Sequence, residues 1–434
     1  YNLLSDRDLD DLNSKQYRAQ LSYVPEDSDF SARLIVDYNK DSGNGPTVVA
    51  VPDSGATGYR PWSALRAFVG VTDIRVSMAE RSQYAGDDFF TEQYYQREGW
   101  GATLNMEWDM GGATLTSITA NRASDTGQMY DQTGGGPDMF DSLYDFADFS
   151  AFAATRDSGL GAVLFFSEPV REDAEISQFS QEIRLTSDTD SLMDWIVGAY
   201  YKSDDIDKLD RFIGENPSGA LATLSGESHW DNRGEMESKA VFGQIGYQIS
   251  DALKLTVGGR YTEDDKKGYI DGIMVATGDR FNPADTAPLT PLREAYSVAY
   301  GDTWSEFTPQ AIVEYNPSDE WFWYGSMSTG FKGGGYEDTP ANAIATSIPF
   351  DPETVTNYEL GFKANLMDKR MRLNASVFMM DYKDLQVQQT NEACLCNITD
   401  NASDAEIKGL EVEFQYAIAD GLILLASGSM IDHK

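Results

Sequence analysis

Residues 307–337 read FTPQAIVEYNPSDEWFWYGSMSTGFKGGGYE, and residues 350–366 read FDPETVTNYELGFKANL. Phe307, Ala311, Val313 and Tyr315 fall on one side of an alternating run. Asn316-Pro317-Ser318-Asp319 then supplies a tight turn, because proline presets φ and Asn, Ser and Asp bond their own backbone. Trp321, Trp323, Gly325 and Met327 resume the alternation on the way back. A long polar link follows, and Tyr358, Leu360, Phe362, Ala364 and Leu366 begin the pattern again. Period two sustained over about ten residues marks strands.

One short turn followed by one long link repeats along the chain. Alternating arms flank Val24 to Asp29, Asp109 to Gly112, Ser187 to Ser191, Ser250 to Ala252, Asp368 to Arg370 and Ala419 to Gly421. With the opening hairpin this predicts seven hairpins, hence about fourteen strands of roughly ten residues. The links between hairpins are long. They include Lys40 to about Arg97, with a short helix expected within Trp62 to Ser82, and Ser124 to Ile176, with Gly134 to Pro137 and the aromatics Phe140, Tyr144, Phe146, Phe149 and Phe152. Sandwiches mix short and long connections at both ends, and propellers repeat blade motifs. Short turns on one side and long loops on the other are the habit of bacterial transmembrane barrels, whose periplasmic turns are short and whose extracellular loops are long.

Composition agrees. The 434 residues carry 33 basic and 71 acidic groups for a net charge of -38. A pI near 4.2 argues against nucleic acid, whose phosphates demand clustered Lys and Arg. With 41% hydrophobic and 12% aromatic residues the chain is too apolar for a solvated tail. Mean hydropathy is -0.43 and no apolar run reaches 18 residues, so helical spans are excluded while alternating barrel strands are not. Tyr23, Trp108, Trp195, Tyr247, Tyr315, Trp321 and Tyr416 all lie beside short turns, where a membrane interface would hold their rings. Leu253, Leu255 and Val257 would face lipid while Lys254, Thr256 and Arg260 face inward, as Glu411, Glu413 and Gln415 would opposite Leu410, Val412 and Phe414. A charged interior implies a hydrated or plugged lumen.

Several stretches resemble the TonB-dependent outer-membrane receptors. They are Phe179 to Ser187 with Trp195 to Tyr201, Leu255 to Thr262, and above all two further segments. Ser328 to Gly335 holds Gly330, Phe331 and Lys332, and Pro352 to Lys363 holds Pro352, Glu353, Tyr358, Glu359, Gly361 and Lys363. Asn401 to Glu411, with Gly409 and Glu411, completes the set. The resemblance runs from about Tyr17 onward. It implies an all-β fold, part of a 22-stranded antiparallel barrel in the bacterial outer membrane, occluded by an N-terminal plug and energised through TonB. Residues 1–434 are then expected to be a partial barrel domain, with the plug and the C-terminal strands outside it. The resemblance implies import of a scarce nutrient such as an iron complex, cobalamin or a saccharide. The alternative is a passive pore or a surface-contact barrel. Expected partners are outer-membrane lipid, TonB, a small ligand and surface lipoproteins.

No catalytic constellation, cofactor motif or metal-ligand spacing stands out. His229 and His433 are far apart, and Gly333 to Gly335 lacks the order of a phosphate loop. Asp87-Asp88, Asp204-Asp205 and Asp264-Asp265 fall in expected loops and read as a solvated acidic rim rather than Ca²⁺ sites. Cys394 and Cys396, in the expected loop between Gln389 and Asn401, leave a strained disulfide and a reduced pair both open. Ligand capture is expected in loops and upper lumen, with Tyr130, Phe140, Tyr144, Trp230 and Tyr336 as candidate contacts, and packing of loop against loop as the competing role. Acidic loops tilt the expected ligand toward a neutral or cationic one.

Overall fold

Every alternating run becomes a strand. The computed structural model describes residues 11–44, 94–131, 169–188, 192–214, 226–274, 295–340, 343–391 and 396–434. It is one antiparallel sheet of fourteen strands whose spatial order is their chain order. The hairpins are β1 (Asn13–Tyr23) with β2 (Phe30–Gly43), β3 (Tyr94–Asp109) with β4 (Ala113–Asp131), and β5 (Pro169–Ser187) with β6 (Met193–Gly214). Then come β7 (Gly226–Ser250) with β8 (Leu253–Met274), and β9 (Tyr296–Ser318) with β10 (Trp321–Lys332). The last two are β11 (Glu353–Leu366) with β12 (Met371–Asn391), and β13 (Cys396–Ala419) with β14 (Leu422–His433). One helical turn, α1 (Ala343–Thr346), interrupts the β10–β11 link. The sheet has β1 and β14 at its edges, with no pairing between them among the described residues. No described helix is long and apolar enough to cross a membrane.

Strands run longer than the alternation suggested, from 11 residues in β1 to 25 in β7. Asp204-Asp205 and Asp264-Asp265 therefore lie within β6 and β8, not in loops. Trp230 belongs to β7 and Tyr130 to β4. Most of the expected loop from Gln389 to Asn401 is strand, because β12 continues to Asn391 and β13 begins at Cys396. Cys396 opens β13, while Cys394 lies outside the described residues, as do Asp87-Asp88, Phe140, Tyr144 and the helix expected within 62–82. The extensions escaped the pattern for a physical reason. Beyond the hydrocarbon band both faces of a strand are wet, so nothing enforces apolar–polar alternation.

The short turns rest on specific chemistry. Gly111 and Gly421 take φ of 78° and 79°, the left-handed region that glycine enters without cost. Asp109 accepts the Gly111 N–H at 2.8 Å, and Met110 N–H donates to Ala113 O at 2.9 Å. Met367, Asp368 and Lys369 occupy the same region without being glycine. That turn is held from outside, since Arg370 donates to Ala417 O at 2.9 Å and Ile418 O at 2.8 Å on the neighbouring hairpin.

The two faces separate as expected. Outward Val257, Leu360 and Val377 are 46%, 57% and 48% exposed, whereas inward Thr256 and Thr262 are 6% and 5% exposed. Exposed aromatics recur at two heights on the outer face, as in Trp108 and Trp100 or Tyr315 and Phe307. Each pair is separated by roughly 27 Å of strand, which matches a tilted hydrocarbon crossing. The inner face is polar and paired: Lys254 reaches Asp194 at 2.7 Å, Arg260 lies 5.3 Å from the Tyr200 ring, and Asn374 donates to Glu413 at 3.1 Å.

Candidate functional site

The β10–β11 link, over residues 333–340 and 343–352, returns over the inner wall as a strap. Three glycines begin it, and the reason is steric. A Cβ on Gly334 would stand 2.5 Å from the Trp304 ring, and one on Gly335 would stand 2.9 Å from Phe350. Gly335 and Phe350 exchange backbone hydrogen bonds of 3.0 and 2.9 Å, closing the strap into a loop of its own. At its root the Lys266 ammonium donates to Gly334 O at 2.5 Å and lies 5.8 Å from the Trp304 ring. Tyr336 packs on Tyr300 at 4.6 Å and on Trp304 at 6.1 Å between centroids. Pro340 O accepts from Trp230 Nε1 at 2.9 Å and from the Tyr296 hydroxyl at 2.5 Å. Lys208 bridges Asp210 at 2.9 Å and Asp338 at 2.7 Å.

On the other side the strap is tied to β12 and β13. Gln386 Nε2 donates to Gly333 O at 3.1 Å and Asp351 O at 2.9 Å, and Thr399 donates to Glu337 at 2.8 Å. Asn401 donates to Asp351 O at 2.9 Å and accepts from Asp351 N–H at 2.7 Å. The strap thus spans the inner wall between β6–β9 and β12–β13, at the end of the sheet that carries the long links.

Its titratable groups feel this docking. Burial pushes the Glu337 carboxyl up, with Asp338 adding to the push and Thr399 opposing it. Burial acts in the same sense on Asp338, but the Lys208 ammonium outweighs it and holds Asp338 below the usual aspartate range. Burial also raises the Tyr336 hydroxyl.

Of the five candidate contacts, Trp230 and Tyr336 come together around this strap. Trp230 is 7% exposed and anchors the strap, and the Tyr336 ring lies within the aromatic stack. Tyr130 is placed on β4 opposite Val170, away from them in register. The motif residues divide by task. Gly330, Phe331 and Lys332 end β10, Pro352 and Glu353 lead into β11, and Glu353 accepts the Gln386 N–H at 2.9 Å. Tyr358 faces outward and is exposed. Glu359 accepts the Tyr324 hydroxyl. Lys363 lies 5.9 Å from the Phe322 ring. Gly361 and Gly409 sit beneath the rings of Tyr324 and Phe378, where a Cβ would stand 2.7 and 2.3 Å from ring carbons. Glu411 lies opposite Ser376 on the inner face. Sequence reasoning missed Lys208, Lys266, Tyr296, Tyr300, Trp304, Gln386 and Thr399, because their partners lie up to 130 positions away. Among the described residues no group of three or more His, Cys, Asp or Glu is placed to hold a metal ion.

A family model described as TonB dependent receptor-like, beta-barrel, matches residues 36–429. The ferric-pyoverdine 358 receptor of Pseudomonas putida is 33% identical over 119 residues, covering 26% of this chain and 14% of that protein. The pesticin receptor of Yersinia pestis is 24% identical over 197 residues, covering 45% of this chain and 26% of that protein. Among solved structures, the ferric yersiniabactin uptake receptor of Yersinia pestis superposes with a TM-score of 0.69 at 16% identity, over 98% of this chain and 52% of that one. The siderophore receptor PiuA of Acinetobacter baumannii gives a TM-score of 0.62 at 14% identity, over 97% of this chain and 56% of that one. The chain therefore spans about half the length of these structures.

Proposed function

Because the chain belongs to the TonB-dependent receptor β-barrel family, we propose that it forms the outer-membrane wall of a receptor that imports a small nutrient ligand. The observation that carries this reading is the family match over residues 36–429, laid on a sheet with an apolar outer face and a polar inner one. The ligand class proposed is an iron chelate. Receptors for ferric-pyoverdine and a ferric yersiniabactin uptake receptor stand among the proteins it is similar to. The acidic composition alone would favour a neutral or cationic ligand. Lys202, Lys208 and Lys266 on the inner wall are already engaged, by Asp204, by Asp210 and Asp338, and by Gly334 O, so the iron-chelate class rests on kinship rather than on unpaired inner-wall charge.

The ligand enters from the long-link end and passes the strap. Tyr336, Trp230 and Tyr130 remain proposed contacts, with Phe140 and Tyr144 outside the described residues. The chain is read as a barrel domain, with an occluding plug and a TonB-contacting segment belonging to the rest of the receptor. Kinship alone supports that coupling. The protein is read as a transporter that alters no bond in its ligand. Uptake of radiolabelled iron chelates by cells with and without the gene, in backgrounds with and without TonB, tests the reading. Accumulation that needs both supports it. Accumulation that needs the gene but not TonB would support the passive pore instead.

A further inference from the structure

A groove of about 510 Å³ is lined by Trp195, Val197, Gly243, Ile245, Gly259 and Phe307, among others. These side chains take the outward register. Val197, Ile245 and Phe307 are exposed on that face, and Ile196, Gln244 and Gly258, of the inward register, also border the groove. The groove exists because two cross-strand glycine positions lack side chains. The Phe307 ring folds over Gly259, where a Cβ would stand 2.7 Å from it, and so builds one wall. Gly243 stays open, its nearest neighbour being Ile196 O at 3.5 Å from an added Cβ.

Trp195 and Val257 lie close to the short turns that begin β6 and β8, so the groove sits in the half of the apolar band nearer the periplasm. No charged side chain lines it. Its volume falls in the range of small-ligand sites, while a stable contact between two copies needs about 1,000 Å² of buried surface or more, beyond a depression lined by so few residues. We propose that this groove seats one acyl chain of a phospholipid in the periplasmic leaflet, held by packing against Trp195, Ile245 and Phe307. Hydrocarbon next to these side chains gains dispersion contacts that a flat lipid-facing wall does not offer.

The test uses the full-length protein extracted from outer membranes, exchanged into nanodiscs of palmitoyl-oleoyl phosphatidylethanolamine, then stripped with mild detergent and weighed by native mass spectrometry. One retained phospholipid per chain is expected, and Gly243→Leu should lower its retention several-fold. Val241→Leu, on the same outward face but outside the groove, should leave it unchanged and so controls for folding. Equal retention in Gly243→Leu and wild type, or none in wild type, overturns the proposal. A wild-type dimer that Gly243→Leu converts to monomer also overturns it, in favour of contact between copies.

Discussion

The two ends of this sheet are built by different physics. At the short-turn end, side chains sort by face, Leu253, Leu255 and Val257 alternating with Lys254, Thr256 and Gly258, and a turn such as Asp109–Ala113 is closed by its own residues, while the Met367–Arg370 turn leans on the adjacent hairpin. At the long-link end, Trp230, Lys266 and Trp304 help hold a strap whose bonds to the wall join residues 35 to 130 positions apart. One end is dictated by the hydrocarbon that surrounds it, the other by partners that only the folded chain supplies. On the proposed receptor reading both are needed, since a rigid wall would carry the segment that meets the ligand.

The sharpest way to break the contrast is at Trp230. Trp230→Ala removes a buried ring and the indole donor to Pro340 O, which should cost strap docking about 3 kcal/mol. Limited proteolysis should then cut within residues 333–350 while the barrel keeps its heat-modifiable mobility on gels. Loss of barrel folding instead would show that the two ends are not separable. Next, Gly361→Val drives a side chain into the Tyr324 ring and should destabilise the wall by roughly 1–3 kcal/mol. Here thermal unfolding should drop with the strap still resistant to protease at low temperature.

Lys369→Gly works in the opposite direction. Relieving a left-handed non-glycine residue should stabilise the β11–β12 turn by about 1 kcal/mol, seen as a higher unfolding temperature. The smallest effect concerns Asp338, whose pair with Lys208 is partly exposed, so Asp338→Asn should weaken docking by less than about 1 kcal/mol. Its pH dependence has a worked sign. Glu337, held above its usual value by burial, disfavours docking while ionised, so acidification toward the ordinary glutamate range should first firm the strap. Asp338, held below its usual value by Lys208, supports docking above the ordinary aspartate range, and that support is lost as pH falls through its lowered value. Strap protection should therefore rise and then fall on acidification. A monotonic loss would contradict the assignment to Glu337.

How far the sequence could be read follows the same division. All seven hairpins were legible, because lipid on one face and water on the other impose period two on residues such as Leu410, Glu411, Val412 and Glu413. Gly361 and Gly409 were visible as motif positions, but their cause was not, since the rings of Tyr324 and Phe378 reach them from neighbouring strands. Strand continuation through Asp204-Asp205 and Asp264-Asp265 was invisible because acidic residues above the band carry no periodic signal. Trp230 and Tyr336 read from the sequence as loop aromatics. Their meeting around one strap depends on β7, β9 and the β10–β11 link converging, which no local pattern encodes.

The most direct measurement is amide hydrogen exchange of the wild-type protein at Phe350, whose N–H donates to Gly335 O within the strap, and at Asp351, whose N–H donates to Asn401 on β13. A docked strap predicts that both amides exchange as slowly as those of β10 and β11. Exchange of both at the rate of unstructured chain would contradict a docked strap and leave the long-link end with no built site.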